Sequence, residues 1–105
     1  MISSTPKTPY YAVIFSSIKN ENINDYAETS TRMVELAKQQ EGFLGIESAN
    51  GEPDITVSYW KDLESIKKWK ANYEHQLAQE KGKTEWYKAF KTRITLVERD
   101  YGFNV

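Results

Sequence analysis

Cysteine is absent from this chain of 105 residues. That removes disulfides, thiolate metal sites and cysteine nucleophiles together. Histidine occurs once, as His75, and a lone imidazole without a partner set makes a poor metal site; no metal is expected. Neither sign of charge dominates: 14 Lys+Arg stand against 15 Asp+Glu. A near-neutral balance gives no electrostatic footprint for nucleic acid or a membrane surface. The longest apolar run, Tyr10 to Phe15, is far too short to span a bilayer. The polar start, with Pro6 and Pro9, lacks the apolar core of a secretory signal. The chain is expected to be cytoplasmic, with residues 1–9 as a flexible arm and 10–105 as one domain. There is no glycine-rich phosphate loop and no Gly-x-Ser-x-Gly elbow, so nucleotide, flavin and serine-hydrolase sites find no support.

What is present is a regular alternation of strand and helix signals. Tyr10 to Ile18 is dense in β-branched and aromatic residues and reads as a strand apolar on both faces. After a polar turn, Asn22 or Asn24 is placed to cap a helix over Asp25 to Gln40, with Tyr26, Met33, Leu36 and Ala37 at helical spacing. Gly42 suits the left-handed residue that follows a helix. Phe43 to Ala49 and Asp54 to Trp60 read as a hairpin across the Asn50 to Pro53 turn cluster. Asp62 caps a second helix whose stripe is Leu63, Ile66, Trp69, Tyr73 and Leu77, closed by Gly82. A short helical turn carrying Trp86 and Tyr87 precedes a last strand over Phe90 to Tyr101. The order β-α-β-β-α-β gives an α+β, ferredoxin-like split sheet with both helices on one face.

The other face of such a sheet should be polar if it meets water. Here the first two strands are apolar on both sides, and a bare surface of that kind invites association. Two copies packed together would bury it, and a homodimer is expected; the alternative is that the short helix or a terminus covers that face within one chain.

Three segments carry a resemblance: Glu41-Gly42-Phe43-Leu44-Gly45, Ile55 through Asp62, and Trp69-Lys70-Ala71-Asn72-Tyr73-Glu74-His75. With Gln79 to Gly82 and the Trp86-Tyr87 pair, these are similar to the antibiotic biosynthesis monooxygenase superfamily over most of the chain. The resemblance implies a dimeric α+β barrel with one pocket per subunit between helices and sheet. Members include cofactor-independent, quinone-forming monooxygenases and haem-degrading ones. In the former, the substrate's own carbanion passes an electron to oxygen, and the protein supplies a dry pocket with a few polar handles.

On this reading the substrate is a small aromatic, phenolic or quinone-type compound, and no cofactor is required. His75 is the candidate catalytic base, because imidazole titrates near neutral pH. Trp60, Trp69 and Tyr73 are the candidate substrate-binding residues. Each has an ordinary alternative: aromatics at helical spacing are more often core than ligand wall, and His75 could simply bond a carbonyl. Arg93 and Glu47 lie on strands and are expected to face outward. Haem is the alternative cofactor. The haem-degrading relatives, however, keep a histidine one turn beyond His75, where this chain has Gln79, and an asparagine on the first strand, where it has Ser16 or Ser17. A non-catalytic, ligand-binding dimer is the third reading.

Overall fold

A computed structural model describes residues 2–21 and 23–105, apart from the side chain of Tyr73. The strands are β1 (Tyr10–Lys19), β2 (Phe43–Ala49), β3 (Asp54–Trp60) and β4 (Tyr87–Val97). The helices are α1 (Tyr26–Lys38), α2 (Leu63–Ala71) and α3 (Tyr73–Lys81), followed by a π-helical turn over Gly82–Trp86. The strands form one antiparallel sheet in the order β2-β3-β1-β4. This is the ferredoxin-like α+β arrangement expected from the element order.

Register decides which residues share a face, because directly opposed residues on antiparallel strands point the same way. One row runs Phe43, Trp60, Tyr11, Leu96 across the four strands. The next runs Ile46, Ser58, Val13, Ile94. Trp60 stacks on Trp69 of α2, so these rows lie on the helix side. Tyr10, Ala12, Ile14, Val57 and Tyr59 lie on the opposite, open side. The helices cover the helix side unevenly. Trp60, Ile66, Leu36, Ala37 and Trp86 are buried, whereas Phe90, Ile94 and Leu96 on β4 stay exposed.

The N-terminal arm lies along the open side. The Ser3 amide donates to a Glu47 carboxylate oxygen at 2.9 Å, and the Ser3 hydroxyl donates to the Ile46 carbonyl at 3.1 Å. Gly45 makes room for it: a Cβ there would stand 2.8 Å from Ser3. Thr5 donates to the Tyr10 hydroxyl, which in turn donates to Asp100. A terminus therefore covers one end of the open side, around Tyr10, Ala12 and Tyr59, while Ile55 near the other end of β3 remains exposed.

Gly42 has φ +85° and approaches the first turn of α2 closely. A Cβ at Gly42 would lie 2.0 Å from Ser65 Oγ. Ser65 cannot swing away freely, since its hydroxyl and amide both donate to Asp62 at 2.7 and 2.8 Å. Gly42→Ala should cost about 1–2 kcal/mol for left-handed backbone and a further 1–3 kcal/mol for overpacking. Urea unfolding checks this; a loss below about 1 kcal/mol would mean the loop relaxes freely.

Four local expectations need correction. Helix α1 is capped by Asp25, in left-handed conformation and without a side-chain cap bond, and not by Asn24. The Asn24 carbonyl instead accepts from the Trp86 indole at 2.9 Å, and Asn22 lies outside the described residues. The second helix is two helices. Asn72 adopts ψ 132°, and its side chain accepts from the His75 amide at 3.2 Å, starting α3 afresh. An asparagine that bonds backbone two or three residues on competes with helix continuation. Leu63 and Leu77 are both exposed, and the supposed single stripe is not one buried seam. Finally, β4 begins at Tyr87 and stops at Val97, four residues before the expected Tyr101.

Candidate active site

The break at Asn72 determines the site. Trp69 and His75 are six positions apart, and on one unbroken helix they would point about 120° away from each other. With the chain turning at Asn72, the imidazole folds back on the indole. Their ring centroids are 4.0 Å apart and their planes differ by 13°. Trp69 in turn stacks on Trp60 at 6.2 Å and 24°, and Phe43 packs edge-on against Trp60 at 5.4 Å. The result is an aromatic column rising from the sheet through α2 to the first turn of α3.

Trp60 is 0% exposed. Its indole nitrogen donates to Ser58 Oγ at 2.9 Å. It has no surface open to a ligand in this conformation and supports the column from behind. Trp69 and His75 are only partly buried, so this pair forms the accessible end. Of the expected site residues, the structure thus brings Trp60, Trp69 and His75 together. The side chain of Tyr73 lies outside the described residues.

The hydrogen bonding of His75 defines its chemistry. Nδ1 lies 2.9 Å from the Trp69 carbonyl oxygen. A carbonyl only accepts, so Nδ1 carries the proton, and in the neutral ring Nε2 is left as the acceptor. Burial pushes the imidazole below its ordinary value of 6.5; the carbonyl bond opposes this, and the nearby Lys70 charge adds to it. His75 is thus a neutral base over a wider pH range than free imidazole.

Two further features were not foreseen. On the open side, the Tyr59 hydroxyl donates to Glu47 at 2.6 Å. That bond, with the Ser3 amide, holds the Glu47 carboxyl below its usual range; burial and then Glu47 push Tyr59 up. Glu47 is therefore held among polar partners on the sheet rather than simply facing solvent. Arg93 lies on the same side and is exposed, as expected. Nothing in residue spacing along the chain could have revealed the Ser3–Glu47–Tyr59 set, because it depends on the arm's path. The second feature is a cleft of about 370 Å³ between α1 and α3. The apolar Met33, Leu77 and Trp86 and the charged Arg32, Glu74 and Lys81 line it. Arg32 grips Glu74 with two bonds of 3.0 Å. The cleft lies on the other side of α3 from the column and includes none of Trp60, Trp69 or His75.

Among the described residues, no group of three or more His, Asp or Glu side chains is placed to hold a metal ion. Among the same residues, no helix is long and apolar enough to cross a membrane.

Residues 9–81 match the family model for antibiotic biosynthesis monooxygenases. The chain belongs to this family. The match runs from just before β1 to the end of α3 and so takes in Trp60, Trp69 and His75. The chain is 52% identical over 101 residues to YqjZ, an uncharacterised protein of Bacillus subtilis, covering 93% of this chain and 88% of that one. Several solved structures share its fold. SnoaB, a cofactor-independent oxygenase from Streptomyces nogalater, aligns over 93% of this chain and all of its own, with a TM-score of 0.70 at 8% identity. Protein SO0527 from Shewanella oneidensis covers 87% of this chain and 93% of its own, with a TM-score of 0.75 at 10% identity.

Proposed function

We propose that two copies of this chain form an oxygenase that converts a small phenolic or quinone-type aromatic without a bound cofactor. The observation that carries this reading is the Trp69–His75 pair, in which the bond to the Trp69 carbonyl leaves Nε2 free to accept a proton. An electron-rich phenol stacked near Trp69 would lose its hydroxyl proton to Nε2. The resulting anion gives an electron to oxygen, and the two radicals combine at a ring carbon. Collapse of the peroxide leaves one oxygen atom on the ring as a quinone carbonyl and releases the other as water. The substrate supplies all the electrons, so no reductant enters the balance. Trp69 is assigned to the substrate side with Trp60 behind it, and Tyr73 is kept as a candidate substrate-binding residue.

A second copy is part of this reading. The open side remains uncovered toward Ile55, and β4 exposes Phe90, Ile94 and Leu96 on the helix side. Apolar surface of that kind is ordinarily buried by a partner. Proton transfer to Nε2 would also gain from a closed, water-poor chamber, in which electrostatic interactions are stronger.

The test is oxygen uptake with a panel of dihydroxynaphthalenes, in the presence of chelator and with no added flavin or metal. One oxygen should be consumed for each quinone formed. Ligand-induced thermal stabilisation with no uptake would instead favour a non-catalytic binding dimer. The same Nε2 is the atom an iron would take, and a histidine fixed through its other nitrogen is the usual arrangement for a metal ligand. Haemin titration separates the two: a Soret band that disappears in His75→Ala would replace the cofactor-free reading with a haem protein.

A further inference from the structure

We infer that the C-terminal tail of each copy is a clasp that seats Tyr101 and Phe103 on the apolar stripe of the other copy's β4. This rests on the two-copy reading above. Tyr101 and Phe103 are 93% and 88% exposed. Val105 is exposed as well. The tail nevertheless has a defined shape. Asp100 is tied to the Tyr10 hydroxyl and to Thr5. Asn104 turns through φ 57°, and a Cβ on Gly102 would stand only 2.4 Å from Val105. The hook so formed holds two aromatic rings away from its own domain. Ordering a chain segment costs about 1–2 kcal/mol per residue, and presenting aromatics to water returns none of it within one copy.

The complementary surface is on the same chain. Ile94 and Leu96 are 52% and 43% exposed, on the helix side of β4. A chain's own tail is poorly placed to cover them, because Asp100 anchors it to Tyr10, on the opposite side of the sheet. A second copy is not constrained in this way. In a two-fold dimer a projecting hook and a receiving stripe meet twice, each copy giving what the other lacks. The location gives the contact its consequence. Leu96 lies in the same cross-strand row as Tyr11 and Trp60, and Trp60 carries Trp69 and His75. The partner's aromatic hook thus covers Leu96, at the β4 end of the row that carries the column.

The absence of cysteine allows a clean experiment. Phe103→Cys, labelled with a benzophenone maleimide, is irradiated in the full-length protein, and the adduct is mapped by peptide mass spectrometry. The expected product joins two chains, with the adduct within Tyr87–Val97 of the other copy. An adduct within the same chain, or on any other element of the partner, overturns the clasp while leaving a dimer intact. Sedimentation of the unmodified protein as a monomer at micromolar concentration overturns the dimer and the clasp together. The double variant Tyr101→Ser/Phe103→Ser lies outside the folded core and should retain its far-UV spectrum. It should dissociate at least tenfold more readily than the parent; an unchanged dissociation constant would also refute the clasp.

Discussion

Under the proposed reaction, replacing His75 with alanine should lower dihydroxynaphthalene turnover by about 10²-fold or more, the usual scale of a lost general base. The variant that decides the role is His75→Asn. Its amide nitrogen can still donate to the Trp69 carbonyl, now engaged by Nδ1 at 2.9 Å. It offers no basic nitrogen where Nε2 stands. A structural histidine predicts that asparagine restores both stability and rate; a base predicts restored stability and no restored rate. The pH profile gives a second reading. Burial holds the imidazole below 6.5, so the acid limb of kcat/KM should lie below that value and vanish in both variants. Stability follows the same sign. The unfolded chain takes up the proton first as pH falls, so the folded state loses stability from about 6.5 downward until its own imidazole titrates. Urea midpoints at pH 7.5 and 5.5 should therefore differ more in the parent than in His75→Ala. Equal differences would remove His75 from the acid sensitivity of the fold, and an unaltered rate would remove it from the chemistry.

Much of the fold could be read from the sequence because the signals were local. The Asn50 to Pro53 cluster and the apolar alternation from Ile55 to Tyr59 set the hairpin, and β2 and β3 occupy the expected residues. Asp62 caps α2 through the Ser65 amide, as its position implied. The site was less legible. His75, Trp69 and Trp60 could be selected by residue type and by resemblance, but an unbroken helix would set His75 off the Trp69 face. The missing signal was Asn72 followed by the acid Glu74, a cap and a favourable first-turn charge in the middle of an apolar stripe. Reading it as a new helix start would have brought the imidazole onto the indole. The arm is a different case. Its docking depends on Gly45 lacking a side chain and on a carboxylate at Glu47, two features brought to Ser3 only by the finished sheet. The exposure of Leu77 has a similar origin, since the turn at Asn72 assigns it to the cleft facing α1 instead of the sheet.

Trp60→Ala should be the most damaging single substitution for stability. Removal of a buried large aromatic costs about 3–5 kcal/mol, through lost transfer energy and the cavity left behind. Trp60 is at the upper end of that range for three reasons. It is the one large side chain with no exposed surface among the described residues. It sits at the end of β3, between Phe43 and Tyr11 in a row that crosses all four strands. It also carries Trp69, so its loss leaves one face of that indole uncovered. A domain of this size holds about 5–15 kcal/mol in all, and each kcal/mol is worth about 4–8 °C in Tm. The melting temperature should fall by more than about 12 °C. Trp69→Ala, at a half-buried position, should cost less stability and yet release His75 from its stacking partner. The pair therefore separates two functions of one column: Trp60 holds the fold, and Trp69 orients the base. Comparable losses of stability in the two variants, with turnover reduced only in proportion to the folded fraction, would show that the column is core alone and that proton transfer takes place elsewhere.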